Sequence, residues 1–587
     1  MLRAPWQYRD ALETELLPEV SAARLMADVH ALGAWERESG SPGEARGFDH
    51  IEAQLRAAGL AIDRREIEAY ISLPKSARLI LPDGSEIEAL THSFSTSTPG
   101  LDAELVDAGD GNPEDFRRIG TAAGKIVLVQ SFATPGKAWA SQEAGTAGQV
   151  FVNVDHLHNM IVTTIWGSPS PDNAWRIPRT PCLSIRRADA DRLRGLLAAG
   201  PVRVRMVTRV ETGWIPIPHL VASLEGAAED RYLLFSGHVD AWHHGAMDNG
   251  SANATMLEVA RLVARRRRAM RRGLRLAFWS GHSHGRYAGS AWYADHAWED
   301  LHRRCILHLN VDSTGARGAS DYSAFHATEE AHAFAEAVVA DVTGQRGRAR
   351  RFSRAGDQSF WGIGVPSAFM SLSGIPRQDT EFSRALERLF GGAGFPWWWH
   401  TREDTVDKID PEVLVLDTRV YTAATLRLLN APVLPFDHRR AARAFAAVVA
   451  DLERASGGRA RLDRAGGAAQ SLIERTERLA AALEALGDLG PGTPAIESAN
   501  RLLVRLSRAL VPLGYTTGDR FTHDLAIGIP PLAGLERARD LARLDPDSDL
   551  YKFTAAALVR EENRAAHALG EAAELIDAWL EGKENGR

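Results

Sequence analysis

The chain has 587 residues, of which 45% are hydrophobic and 25% charged, and its 69 basic and 76 acidic side chains leave a formal net charge of −7. This composition is typical of a soluble globular protein with two to four domains, and it excludes a disordered tail, a fibrous repeat and a small disulfide-bonded secreted protein. The slight acidic excess argues against a dedicated nucleic-acid-binding protein, which would carry a basic surface.

Cysteine content and hydropathy bear on the cellular location. Cys182 and Cys305 are too few for a disulfide framework and are compatible with a reducing compartment. The first twenty residues lack the apolar core of a signal peptide, and no uncharged apolar run approaches the roughly 18 residues that span a bilayer. We therefore expect a cytoplasmic protein with no membrane partner and no nucleic-acid partner.

The predicted elements change character along the chain. Residues 10–36 and 44–59 have the apolar spacing of amphipathic helices, and residues 96–212 alternate short strands with helices. From PHLVASLEG onward, strand–helix–strand alternation predicts a mostly parallel sheet with helices on its faces. After Pro435, segments rich in Ala, Arg, Leu and Glu have helical periodicity and predict a helical C-terminal domain.

Histidine and acidic residues follow several strands of this predicted α/β sheet. The candidates are His238, Asp240 and Asp248 in GHVDAWHHGAMDNG, His282 and His284 in WSGHSHGRY, Asp312 in LHLNVDSTG, and His400 in FPWWWHTREDT. An open α/β sheet presents its ligands at the carboxyl ends of its strands. Imidazole and carboxylate ligands suit zinc, and a bridging carboxylate can hold two metals about 3.5–4 Å apart. The pattern therefore predicts a metal site.

In this order, the four segments resemble the co-catalytic zinc peptidase family that contains bacterial aminopeptidases, glutamate carboxypeptidase II and the transferrin receptor. The resemblance extends over nearly the whole chain, including the early stretch RESGSPGEARGFDHIEAQLRAAGL. It implies a catalytic domain in two parts, 1–95 and 213–434, around a protease-associated insert at 96–212. It also implies a helical, dimerisation-like domain at 435–587, and therefore a homodimer.

The resemblance further implies a role for each metal-site candidate. His238 and Asp312 would bind the first metal, and Asp248 would bridge it to a second metal that His400 binds. The carboxylate of Asp240 would fix the tautomer of His238. The peptide bond after the bridging aspartate is expected to be cis.

One segment departs from the family. Relatives carry two consecutive glutamates there, of which the first is the general base and the second a ligand of the second metal, whereas WSGHSHGRYAGS contains no carboxylate. Counting from Trp279 places His282 and Ser283 at the glutamate positions. Counting back from Gly289 places Ser283 and His284 there, because the loop has one extra residue. The sequence does not choose between these registers.

Three interpretations follow from this departure. In the first, His282 or His284 binds the second metal and the other acts as acid or base, with His282 favoured as the ligand. In the second, one metal is held by His238, Asp248 and Asp312, and the two histidines address the substrate. In the third, the chain is a non-catalytic, transferrin-receptor-like binding or scaffold protein. We favour a metal-dependent hydrolase of an amide or peptide-like C–N bond, with one or two zinc ions or another divalent transition metal.

Four further residues are candidates for contact with a small-molecule or peptide-like substrate. Trp399, directly before a predicted ligand, offers an aromatic wall. Arg286 and Tyr287 follow the histidine pair and could hold a substrate carboxylate or a developing oxyanion. Asp357 lies in GDQSF, which resembles the family's segment before a GIPA-like loop, here GIGVPSA.

Overall fold

Thirteen strands are found in the parts of the chain that the computed structural model describes, residues 4–390 and 394–582. They are β1 (Ala61–Ile80), β2 (Glu86–Thr91), β3 (Thr98–Asp107), β4 (Ile126–Val129), β5 (Gly148–Asn153), β6 (Cys182–Arg186), β7 (Val202–Leu224), β8 (Tyr232–His238), β9 (Gly273–Trp279), β10 (Cys305–Asn310), β11 (Ala324–His326), β12 (Arg348–Arg350) and β13 (Ser367–Ala368).

The α-helices lie between and after these strands. They are α1 (Glu13–Leu16), α2 (Ala22–Gly33), α3 (Pro42–Ala57), α4 (Pro113–Arg118), α5 (Pro135–Glu143), α6 (Arg187–Ala199), α7 (Ala252–Arg265), α8 (Ala288–His296), α9 (Trp298–Arg304), α10 (His332–Thr343), α11 (Glu381–Phe390), α12 (Pro411–Asn430), α13 (Arg439–Ala455), α14 (Asp463–Ala485), α15 (Pro494–Tyr515), α16 (Arg537–Leu541) and α17 (Asp549–Leu580).

The N-terminal helices begin where the sequence supplies caps. Ser41 accepts a hydrogen bond from the main chain of Glu44 at the start of α3, which confirms the helix predicted at 44–59. The helix predicted at 10–36 is instead divided into α1, a short 3₁₀ turn that contains Pro18, and α2. The division follows from Pro18, which has no main-chain N–H to donate, and from Ser21, which caps α2.

Eleven of the described strands form one mixed sheet in the order β1-β2-β6-β5-β4-β3-β7-β9-β8-β10-β13. Strand β8 pairs in parallel with both β9 and β10, and β13 extends this parallel part. Every residue of β8 and β10 is buried, as expected for parallel strands covered on both faces. The predicted fold class, an α/β protein with an insert and a helical C-terminal region, is confirmed.

Two long antiparallel strands connect the parallel sheet to the insert. Strands β1 and β7 pair from Ala61–Ser223 to Ile80–Arg205, with one irregularity after Pro74. The N-terminal part of β7 pairs with β3, and its C-terminal part pairs with β9. The predicted domain border at residue 212 therefore falls inside β7, and the domain limits stay a prediction.

The C-terminal helices share one hydrophobic core with the sheet. Phe235 on β8 and Leu309 on β10 belong to the same buried cluster as Leu503 on α15 and Leu569 on α17. Within the described residues, no helix is both long and apolar enough to cross a membrane. The helical region thus continues the core that lies behind the strands carrying the candidate ligands.

Candidate metal centre

The candidate ligands meet at the carboxyl edge of the parallel strands. His238 is the last residue of β8, and Asp312 follows the end of β10 by two residues. Strand β9 ends at Trp279, directly before the loop that carries His282. Because these three strands are parallel and adjacent, their ends bring residues from three distant segments to one place.

His238 is oriented as a metal ligand. Its Nδ1 lies 2.7 Å from the main-chain oxygen of Asp240, which fixes the proton on Nδ1 and leaves the Nε2 lone pair free. Nε2 is buried without a hydrogen-bond partner among the described residues. It lies 3.2 Å from Oδ1 of Asp248 and 3.6 Å from Oδ2 of Asp312. Burial lowers the pKa of His238, but the two carboxylates outweigh burial and raise it well above its usual value.

This arrangement corrects the role expected of Asp240. The main chain of Asp240, not its carboxylate, fixes the tautomer of His238, because the nearer carboxylate oxygen is 3.7 Å from Nδ1. The carboxylate instead accepts hydrogen bonds from the main-chain N–H groups of His282 and Ser283, at 3.1 and 2.8 Å, and from the hydroxyl of Ser39. Asp240 therefore positions the start of the histidine loop.

Asp248 has the geometry of a bridging carboxylate. Its Oδ1 faces His238, and its Oδ2 lies 3.2 Å from Nε2 of His400. Burial alone would raise the pKa of the Asp248 carboxyl, but the two histidines hold it far below its usual range. The peptide bond between Asp248 and Asn249 is cis, which confirms the expectation.

Two residues that sequence analysis missed hold the Asp248 segment. Asp404 accepts hydrogen bonds from the main-chain N–H groups of Met247 and Asp248, both at 2.9 Å, and burial raises the pKa of Asp404 to about 7. Arg37 is fully buried and donates to four main-chain carbonyls, including that of Gly245. Asp404 follows His400 by only four residues, and this short spacing was a signal in the sequence.

His400 is positioned partly by the insert. Its Nδ1 lies 2.7 Å from the main-chain oxygen of Asn159, which again leaves Nε2 free. The ring stacks on Trp399 with centroids 3.6 Å apart. The insert therefore shapes the metal centre as well as flanking it.

The structure separates the two histidines of the departing segment. His282 and Ser283 line a cavity that opens over the candidate ligands. Nδ1 of His282 lies 2.9 Å from Oδ2 of Asp357. His284 is fully buried outside the cavity lining, with Nδ1 3.0 Å from the hydroxyl of Ser39. The geometry supports the register counted from the end of β9, and it does not support the catalytic role expected of His284.

The ring of His282 also lies flat against that of His238. The two centroids are 3.7 Å apart and the rings are 13° from parallel. A ring nitrogen binds a metal within the plane of its ring, so two stacked imidazoles do not direct their lone pairs at the same ion. His238, His282 and Asp312 form a cluster whose donor atoms lie within 4.8 Å of one another. The stacking makes His282 the member of this cluster least suited to ligation.

The donors at this edge fit a metal ion. A buried imidazole nitrogen without a hydrogen-bond partner faces two carboxylate oxygens, and nitrogen and oxygen donors of this kind are those that zinc takes in proteins. The two carboxylates favour a positive charge beside Nε2, which a metal cation can supply. The residues that fit are His238, Asp248 and Asp312, with His400 on the far oxygen of Asp248.

A cavity of about 450 Å³ opens over these residues. It is lined by the insert, by the loops that follow β9 and β10, and by a C-terminal loop at 526–528, and its walls include the predicted residues Trp399, Arg286 and Tyr287. Asp357 is not in the lining and is 1% exposed, so it is not placed to touch a substrate in this cavity. It contacts His282 instead.

The cavity wall also contains a second arginine. Arg354 stacks over the ring of Trp166 at 4.0 Å and donates to the main-chain oxygens of Gln358 and Asp524. Burial and the nearby charge of Arg286 lower the pKa of Arg354 to about 10, although Asp524 opposes this effect. The Nε atoms of Arg286 and Arg354 are buried without hydrogen-bond partners, and neither arginine forms an ion pair with a described residue.

Comparisons with known proteins agree with this architecture. Residues 219–423 match the family model described as Peptidase family M28, and residues 101–193 match that of the PA domain. Probable glutamate carboxypeptidase VP8 of Zea mays is 26% identical over 503 residues, which cover 71% of this chain and 68% of the maize protein. Aminopeptidase YwaD of Bacillus subtilis is 24% identical over 352 residues, or 58% of this chain and 69% of that protein.

A solved structure shows the same fold. The aminopeptidase from Aneurinibacillus sp. strain AM-1 superposes with a TM-score of 0.54 and 21% identity, covering 71% of this chain and 96% of that one. The candidate residues from His238 to His400 all lie inside the segment that matches the peptidase family.

Proposed function

We propose that this chain, a metal-dependent hydrolase of peptidase family M28 with a PA domain, uses zinc to cleave an amide bond. Its proposed substrate is a small molecule or peptide-like compound. The observation that carries this proposal is Nε2 of His238, buried and unpartnered between two carboxylates beneath an open cavity. Nothing in the comparisons favours the alternative of a non-catalytic scaffold.

The metal would be held by His238, Asp248 and Asp312, with His400 beyond the second oxygen of Asp248. Three protein ligands and an open position are typical of catalytic zinc sites. Bound there, zinc would supply Lewis-acid polarisation of the scissile carbonyl. The protein's own contribution is to fix the tautomers of His238 and His400 through the main-chain oxygens of Asp240 and Asn159.

His282 is the proposed proton acceptor, in place of the family's glutamate. Asp357 fixes its Nδ1 proton, so Nε2 is the basic nitrogen in a side chain that lines the cavity. As water adds to the amide carbon, Nε2 takes a proton from that water. It then gives the proton to the leaving nitrogen as the C–N bond breaks, which balances the hydrolysis and returns His282 to its neutral form.

Hydrolysis is tested with zinc-loaded protein and a panel of N-acyl amino acids and dipeptides, with release of free amine as the measurement. We expect activity that a chelator removes and added zinc restores. Zinc binding without cleavage of any member of the panel, and of simple aryl amides, would count against an amide hydrolase.

Arg286 is proposed to bind a carboxylate of the substrate, next to Trp399 and Tyr287. Among the described residues of the cavity wall, the only acidic side chains are Asp248 and Asp312, which the metal would occupy, so a substrate carboxylate would meet unpaired cations. The hydroxyl of Tyr287 is held by the main-chain N–H of Gly356 at 3.1 Å.

Arg286→Met is therefore expected to raise KM for a carboxylate-bearing amide about 10- to 100-fold, since a hydrogen bond to a charged group contributes about 1.5–3 kcal/mol. The matched control is a neutral amide of the same shape, whose KM should change little, and Arg286→Lys should restore part of the difference. Equal losses on both amides would contradict the carboxylate contact.

The cytoplasmic location stays a prediction.

We propose a homodimer whose interface is formed by the C-terminal helices. Leu550 and Phe553, three residues apart on α17, are 59% and 68% exposed, which leaves an apolar surface on this helix.

Light scattering at micromolar concentration is expected to give twice the 64.0 kDa chain mass. Phe553→Asp should shift the particle toward the single-chain mass without loss of helical circular dichroism. A wild-type particle of 64.0 kDa would contradict the dimer.

A further inference from the structure

We infer that the metal centre of this chain holds one ion, because its second metal position has lost a ligand at Ser283. The inference rests on the proposed function, since it concerns the same site. Members of the co-catalytic zinc peptidase family, which the chain resembles, hold two metals. This chain would therefore differ from them in the number of metal ions and not only in the residue that acts as general base.

The second position has too few donors. His400 and Asp248 present Nε2 and Oδ2 there, 3.2 Å apart. Among the described residues, Asp248 is the one acidic side chain that pairs with His400 within 4.0 Å. Zinc in proteins takes at least three ligands of these types, so two do not suffice.

In the register counted from the end of β9, Ser283 stands at the position of the second family glutamate, which the resemblance makes a ligand of the second metal. It lines the cavity with His282, one residue beyond it, and its main-chain N–H is bound by Asp240. Its side chain is a short neutral hydroxyl, which is not among the usual ligands of zinc. The carboxylate that the family places here is therefore not replaced by an equivalent donor.

Neither neighbouring histidine makes up this loss. His284 is fully buried and does not line the cavity; its Nδ1 contacts Ser39, and its ring centroid lies 4.3 Å from that of Trp242, which does line the cavity. His282 is stacked on the ring of His238, with its Nδ1 bound to Asp357. One nitrogen of each ring is therefore already engaged, by Ser39 in His284 and by Asp357 in His282.

The charge of the cavity favours the same conclusion. Its described lining contains two carboxylates, Asp248 and Asp312, and two cations, Arg286 and Arg354. One divalent ion neutralises the two carboxylates. A second divalent ion would leave two positive charges with no carboxylate partner in the lining, beside two arginines, in a site where partial burial makes unbalanced charge costly.

The test is metal analysis of the whole chain after equilibration with a slight excess of zinc and removal of unbound metal by gel filtration. We expect one zinc per wild-type chain, and one in His400→Ala, because His400 serves only the second position. Two zinc ions in the wild type, or loss of the ion in His400→Ala, would overturn the inference while leaving a zinc hydrolase intact. A wild-type chain that binds no zinc would instead remove the proposed function itself.

Restoring the ligand provides the sharper test. Ser283→Glu is expected to bind a second zinc, and the matched control Ser283→Ala should keep one. Ser283→Asp offers a shorter carboxylate if the longer one disturbs the loop, and circular dichroism checks that each variant is folded. If both folded acidic variants still bind one zinc, the assignment of the lost ligand to Ser283 is wrong.

Discussion

Replacing His238 by alanine is expected to abolish both zinc binding and amide hydrolysis. The variant removes the imidazole whose Nε2 lies between the carboxylates of Asp248 and Asp312. Loss of a residue that only orients a ligand costs about 10- to 100-fold in metal affinity, so loss of the ligand itself should cost more than about 100-fold. Competition with a chromophoric chelator measures the affinity, and metal analysis after dialysis measures the occupancy.

The control for this variant is another buried histidine. His438 is buried in the C-terminal region, where its Nε2 lies 3.3 Å from the hydroxyl of Ser507. His438→Ala loses a buried imidazole of the same size and is expected to keep its zinc. A folded His238→Ala chain with full zinc content would refute the assignment of the first ligand.

Replacing His282 by alanine is expected to lower kcat about 10²- to 10⁴-fold while zinc content stays at the wild-type value. This range is what a positioned general acid–base typically contributes. Zinc should stay because the stacked ring of His282 is not directed at the ion that His238 binds. Loss of zinc in this variant would show that His282 is a ligand and not the proton acceptor.

Asp357 and His284 give the matched comparisons. Asp357→Asn removes the carboxylate that fixes Nδ1 of His282, so kcat should fall with little change in KM or in zinc content. His284→Ala, two residues along the same loop, should retain turnover when it is measured below its own melting temperature. Equal losses of turnover in His282→Ala and His284→Ala would contradict the separation of their roles.

The sequence could single out the candidate ligands because each of them follows a strand or lies in a loop with a recognisable local pattern. His238 ends a wholly buried strand, and Asp312 follows another, so both could be assigned to one edge of the sheet. The helices of the C-terminal region were predictable for a similar reason, since their apolar spacing is local. The cis bond after Asp248 followed from the family resemblance and not from the residues themselves.

Contacts between distant segments were not predictable in this way. Asp357 lies 75 residues from His282, and Asn159 lies 241 residues from His400, so no local spacing connects either pair. The length of β7 was also not predictable from its own composition. The strand is long because it pairs with β1, which is distant in the sequence.

The sequence by itself therefore determined the fold class, the family resemblance and the order of the candidate ligands along the chain, since these depend on local periodicity and on residues at strand ends. Only the tertiary structure decided which histidine of the loop faces the cavity. Asp240 binds the main-chain N–H groups of His282 and Ser283, and Ser39 engages His284 from another segment. The extra residue in the loop leaves its register open in the sequence, and these hydrogen bonds between distant segments support the register counted from the end of β9.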